Sequence, residues 1–207
     1  MQRITVITAD VIESKNAGDY KRSLTQKLSE LRHPMLLSRF SLSRGDEIQG
    51  VLSGWLRAPE LIRQLRFACR PLKLRVGIGV GANAGPVDAD PWSMDGPAFH
   101  LARSALDNEK RNKKPSTCIR TGSAQLDDIL YCIWLLIDSR QNRWTDKQWE
   151  AVQAYERYRT YEEASKNLHI RLQNVQKRCH AADWHQLKLA EKTLSKLELY
   201  ADRFNLA

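Results

Sequence analysis

The chain has 207 residues, 42% of them hydrophobic and 28% charged. That composition supports a folded core and is long enough for one larger and one smaller domain. No apolar run reaches the ~18 residues of a membrane span, and the net charge of +9 points to nucleic acid or another anionic partner. The opening MQRITVITADV lacks a basic stretch followed by an apolar segment and a cleavage site, so no secretory signal is expected. Cys69, Cys118, Cys132 and Cys179 form no CxxC pair, which suits reduced thiols in a cytoplasmic protein. Residues 140–207 hold 13 Lys and Arg against 9 Asp and Glu, so the basic excess is spread and places no binding face by itself.

The β-branched run at 4–11 predicts a central strand ending at Asp10. Leu24, Leu28 and Leu31 follow at helical spacing, stopped by His33-Pro34. Two short strands flank Gly45-Asp46 as a hairpin, and Pro59 opens a helix that Pro71 ends. LRVGIGVG (74–81) is a strand. Gly96-Pro97 starts a helix with proline at its first position, and CIRTG (118–122) is the last strand. This βαββαβ order spells the split βαβ, ferredoxin-like plan, with helices expected on one face of the sheet. An apolar helix from Ala124 to Arg140, carrying Ile129, Ile133, Trp134, Leu136 and Ile137, is expected to pack on the sheet. The division reads as a sheet domain over 1–125, a connecting helix over 126–143 and an all-α domain over 144–207.

The all-α part shows two capping-box patterns, Thr145 with Gln148 and Thr160 with Glu163. A short helix at 161–167, a turn at Leu168-His169-Ile170 and an amphipathic helix with Val175 and Cys179 inward give a helix-turn-helix plan. His169 stands where glycine is usual, and histidine is among the residues that tolerate a left-handed backbone. Arg171, Gln173, Asn174, Gln176, Lys177 and Arg178 then face outward, and residues 171–182 contain no acid. Arginine, asparagine and glutamine can read base edges, and lysine can bind phosphate, so this face is the candidate DNA surface. The apolar stripe Trp184, Leu187, Leu194, Leu197, Ala201 and Phe204 has heptad spacing, missing only at Glu191. Such a stripe either packs back onto the helix-turn-helix core or forms a homodimer seam, and the seam is expected, since helix-turn-helix proteins commonly read two half-sites.

Chemistry elsewhere rests on carboxylates. A divalent cation needs hard oxygen ligands from segments that the fold brings together. Asp10 and Asp46, with Glu47 or Glu13 near, are the candidates. Gly79-x-Gly81-x-x-Ala84 loosely matches a dinucleotide fingerprint, but a loop follows it rather than a helix, so the glycines are expected to permit close backbone approach instead.

ITADVIESK, RGDEIQGVL, LRVGIGVG, DGPAFHLAR and WTDKQWEAVQAY, followed by the helix-turn-helix, resemble the SatD family over nearly the whole chain. The first part is also similar to the palm of class III nucleotidyl cyclases and GGDEF proteins. That resemblance implies Mg²⁺ held by Asp10 and Asp46, with Glu47 beside them, and a nucleotide near Gly45, Gly96, His100 and Arg103. Leu42 stands where cyclases carry a base-selecting lysine, and His100 and Ser104 stand where they carry Asn and Arg. The resemblances together imply a DNA-binding regulator whose palm senses a nucleotide or other ligand. The alternatives are an active cyclase or nucleotidyltransferase, and a degenerate palm acting as an interaction scaffold.

Overall fold

The computed structural model describes residues 3–12, 20–43, 45–111 and 114–201. Its strands are Arg3–Ile12 (β1), Leu36–Leu42 (β2), Glu47–Ser53 (β3), Lys73–Ala82 (β4) and Thr117–Arg120 (β5). Its helices are Tyr20–Glu30 (α1), Glu60–Cys69 (α2), Pro97–Lys110 (α3), Ala124–Gln141 (α4), Asp146–Tyr158 (α5), Tyr161–Leu168 (α6), Leu172–Ala181 (α7), Trp184–Leu194 (α8) and Leu197–Ala201 (α9). The fold is mixed α+β. The strands form one sheet in the order β2-β3-β1-β4-β5, antiparallel except for the β4–β5 pair. The first four strands thus take the order and directions of the split βαβ plan, and α3 carries the chain across to β5.

β1 lies in the middle because its β-branched residues can be buried on both faces. Ile7, Ala9 and Val11 enter the main core with Leu24, Leu28, Leu61 and Leu65. Ile4 and Val6 face the other way, against Ala98, Phe99 and Ala102 of α3. The sheet is therefore covered on both faces, and the expected single layer of helices is corrected. The cause lies in the alternation of GIGVG. Val76, Ile78 and Val80 point into the main core, while Gly77, Gly79 and Gly81 present bare backbone to α3. A Cβ placed on Gly79 would lie 2.0 Å from the Ala98 carbonyl oxygen and 2.4 Å from the Ala102 nitrogen, so α3 rests directly on β4.

Of the apolar residues expected to seat α4, Trp134 and Ile137 are buried, with Leu130, and Ile133 packs at the edge. Ile129 and Leu136 are exposed instead. The helix is apolar nearly all round, so its composition alone did not mark the inner face. That inner face also carries Asp138, whose Oδ1 meets Arg66 Nη2 of α2 at 2.7 Å. Burial pushes the Asp138 carboxyl above its ordinary range, against the pull of Arg66.

Hydrophobic contact continues unbroken from the sheet through α5 and α7 to α8. Trp144, Trp149 and Trp184 pack edge to face, with Trp144 Nε1 donating to the Ala182 carbonyl at 2.9 Å. The expected C-terminal seam is not one helix. Asp183 takes a left-handed conformation (φ 50°) between α7 and α8, and a further break separates α8 from α9. Trp184, Leu187 and Leu194 are buried within this same chain, so they are not a free dimer seam. Glu191, the residue that interrupts the apolar spacing, is buried there too, with its Oε1 2.9 Å from Arg63 Nε of α2. Arg63 in turn lies over the Trp184 ring at 4.4 Å. The stripe packs inward because Arg63 of α2 meets both its acid, Glu191, and its tryptophan, Trp184. Phe204 and Glu13 lie outside the described residues, as does the Ala201 side chain.

Candidate functional site

Strand register builds the first candidate site. Asp10 of β1 is paired with Glu47 of β3 on one side and with Arg75 of β4 on the other. Side chains alternate along strands, so all three lie in one row on the α3 face, one step beyond the glycine ridge. Arg75 Nη1 donates to Asp10 Oδ2 at 2.8 Å. The C-terminal half of α3 completes the row. Arg103 Nη1 donates to both Glu47 oxygens at 2.7 Å, and Lys110 Nζ donates to Oε1 at 2.8 Å. Asp46 sits in the adjoining hairpin, where its carbonyl accepts from the Val11 amide at 3.3 Å.

The two central carboxyls respond in opposite directions. Burial raises Asp10 above its ordinary range, and the Asp46 charge adds to that, against the Arg75 hydrogen bond. Burial pushes Glu47 the same way, but the bonds from Arg103 and Lys110 outweigh it and hold the carboxyl below its ordinary range. Among the described residues no group of three or more His, Cys, Asp or Glu side chains is arranged to hold a metal ion.

The residues expected to surround a nucleotide are not all brought together. Gly45 lies in the hairpin, and Arg103 reaches Glu47. Gly96 is the N-cap of α3, and α3 runs antiparallel to β4, with Ala98 over Gly81 and Leu106 over Gly77. Fourteen residues of helix thus place Gly96 roughly 20 Å from Lys110, at the opposite end of the sheet from Asp10. His100 belongs to that far end, exposed, with Nε2 3.3 Å from Asp95 Oδ1. Gly96 is buried with φ 139°, and it turns the preceding loop into α3 beside Ala84.

The second candidate surface is α7. The capping box at Thr145 is complete in both directions and starts α5. At Thr160 only half of it forms: Oγ1 accepts from the Glu163 amide at 3.2 Å, while the Glu163 carboxylate turns to Lys166 at 2.7 Å. His169 ends α6 in the left-handed region (φ 53°, ψ 41°), and a short turn leads into α7. Ala164, Val175 and Cys179 are fully buried where α5, α6 and α7 meet. Opposite them Arg171, Gln173, Asn174, Gln176 and Lys177 are exposed, and Arg178 is half-buried. Arg171, Lys177 and Arg178 enter no ion pair among the described residues.

The SatD family model matches residues 4–193. The chain belongs to the SatD family. The match spans both the sheet and the α5–α8 helices, so both candidate surfaces of this SatD-family chain lie within it. No curated protein matches the chain. Among solved structures, the crystal structure of a regulator of polyketide synthase expression from Bifidobacterium adolescentis is 14% identical. The alignment covers 99% of this chain and 81% of that one, with a TM-score of 0.28, too low to define a shared fold. Among the described residues no helix is long and apolar enough to cross a membrane.

Sequence reasoning missed Arg75 and Lys110, which with Arg103 hold the two central carboxylates. Arg75 continues the odd-numbered series Gly77, Gly79, Gly81 and so shares their face of β4, but only the register of β1 on β4 brings that face to Asp10. Lys110 sits in a basic run, and nothing local to that run indicates that it reaches back to Glu47.

Proposed function

We propose that this chain is a DNA-binding regulator in which α6 and α7 form a helix-turn-helix and the sheet domain responds to a ligand. The observation that carries this reading is the α7 face: exposed Arg171, Gln173, Asn174, Gln176 and Lys177, with no acid between 171 and 182. A merely solvated helix usually mixes both signs, as α6 does with Glu162, Glu163 and Lys166. On DNA, the N-terminal residues of α7 would enter the major groove, and Lys177 and Arg178 would contact phosphate. Homodimerisation belongs to the same reading, since two half-sites call for two recognition helices. It would use a surface other than the buried α8 stripe.

Mg²⁺ and a nucleotide at Asp10, Asp46 and Glu47 remain the palm-like part of the reading. The oxygen donors suit a hard cation. Their present partners are the chain's own cations, so an arriving ion would have to displace Arg75 from Asp10. Turnover is not part of the proposal, because Leu42 packs on the core and Ser104 replaces an arginine.

Gel shifts with genomic fragments test the DNA reading. Binding should fall with salt by about 0.9 log–log units for each phosphate contacted. Arg171→Ala and Asn174→Ala should each cost about 1–3 kcal/mol at a cognate site. A full chain that retards no fragment at low salt would refute the proposal.

A further inference from the structure

A cleft unrelated to either candidate surface separates the sheet's own helices from the all-α part. It consists of two adjoining concavities of about 920 and 830 Å³, each of a size that suits a small molecule. Both are lined by the end of α1, the outer side of α2 and the facing side of α5, and they share Glu30, Leu31, Gln64, Gln153 and Arg157 at the waist. The two halves differ in chemistry. The larger has Phe67, Tyr158 and Leu168 among its walls and is closed at one edge by the Arg70–Asp146 ion pair. The smaller reaches α8 and is lined by seven Arg and Lys residues against four Glu.

The pairing of those charges shows where an anion would be held. Glu191 is taken by Arg63 and Glu156 by both Arg159 and Lys188, Glu60 lies 3.3 Å from His33 Nε2, and Glu30 enters no ion pair among the described residues. Arg57 is satisfied from outside the cleft by Glu198. Arg157 and Lys192 are exposed and enter no ion pair among the described residues. Arg157 lines both halves, and its guanidinium lies over the Tyr158 ring at 5.6 Å. Two cations outside any ion pair at one end, two amides and Glu30 at the waist and aromatic walls at the other make an amphipathic site with a net positive end. It matches a phosphate ester that carries a planar group.

We infer that the cleft between α1–α2 and α5–α8 binds a phosphorylated small molecule of nucleotide type. Arg157 and Lys192 receive its phosphates, and its planar group lies between Phe67 and Tyr158. This site needs no metal and is separate from the Asp10–Glu47–Arg75 row. It also supplies a means of regulation. α5 forms one wall of the cleft and packs on α6 and α7, so a ligand clamped between α2 and α5 fixes where α7 stands relative to the sheet. That regulatory use rests on the DNA-binding reading above, whereas the binding itself does not.

The test is calorimetry on the full chain in EDTA, with ATP, GTP and inorganic pyrophosphate as probes. At least one nucleotide should bind, and pyrophosphate more weakly, because it lacks the group that meets the aromatic walls. Arg157→Ala and Lys192→Ala should each weaken binding about tenfold, as expected for loss of a charge-assisted bond. Gln153→Trp, which fills the waist without touching a charge, should weaken it too. Asp10→Asn should bind as the unaltered chain does, and thermal melts should confirm that every variant folds. The inference is overturned if none of the three probes binds, if binding survives in the Arg157→Ala/Lys192→Ala chain, or if Asp10→Asn abolishes it. A chain that binds nucleotide in this way yet shifts no DNA would refute the regulator reading and leave the cleft standing.

Discussion

Glu47 and Glu191 each meet arginine from a distant part of the chain, yet they stand in contrasting regions. Glu47 lies at the rim of the sheet, its side chain 20% exposed, and shares two partners, Arg103 and Lys110, that are themselves well exposed. Glu191 lies between α2 and α8 with its side chain 8% exposed, and its partner Arg63 is 2% exposed. The rim cluster is adjustable, because water can replace any bond that is lost. The buried pair is fixed, since neither charge has an alternative to the other. The same chemical pairing thus serves a responsive site in one place and a structural fastening in the other, and exposure decides which.

The buried fastening should break with the larger effect. Arg63→Ala strands a carboxylate that burial already pushes above its ordinary range, and should cost about 3–5 kcal/mol in chemical denaturation. Loss of the guanidinium over Trp184 adds to this. With Arg63 gone, the Glu191 carboxyl rises further and takes up a proton as the pH falls. The variant should therefore recover part of its lost stability in acid, where the charge is no longer buried. Replacing both partners with leucine should be close to neutral, because no unpaired charge remains. A double variant as unstable as the single one would show that the pair itself, rather than relief of stranded charge, holds α8 in place.

The sequence revealed what was local to it. The Thr145 capping box, the left-handed His169 and the alternating glycines of β4 each follow from residues within one or two turns of chain. The strand order followed as well, because hydrophobic runs and turn residues restrict a βαββαβ chain to few topologies. Matters of register and facing were not legible. Nothing in LRVGIGVG says that Arg75 falls opposite Asp10, because that depends on how β1 and β4 slide past each other. The heptad stripe at 184–197 was visible, but an apolar stripe packs equally well on its own chain or on a copy. Its interruption at Glu191 was the clue, since an acid within a stripe calls for a cation, and Arg63 supplies it.

The rim cluster should respond more weakly, and its two carboxyls should respond with opposite signs. Glu47 is held below its ordinary range, so its pairing contributes stability above that range, and the contribution is lost as the pH falls through its folded value. Glu47→Gln should therefore cost up to about 1 kcal/mol near neutrality, the scale of a largely solvated ion pair, and nothing once the pH is low enough to protonate the glutamate. Asp10 is raised, so its contribution is present below the ordinary aspartate range and is lost as the pH rises through its folded value. Asp10→Asn removes that loss along with the repulsion from Asp46, but it also weakens the bond to Arg75. Relative to the unaltered chain, this variant should gain stability as the pH rises from the ordinary aspartate range upward, while Glu47→Gln loses it as the pH rises towards the ordinary glutamate range. Urea melts across those ranges would compare the two. Parallel pH profiles for the two variants would mean that Asp10 and Glu47 titrate as one coupled pair, and the row could not then be divided into a strained carboxylate and a satisfied one.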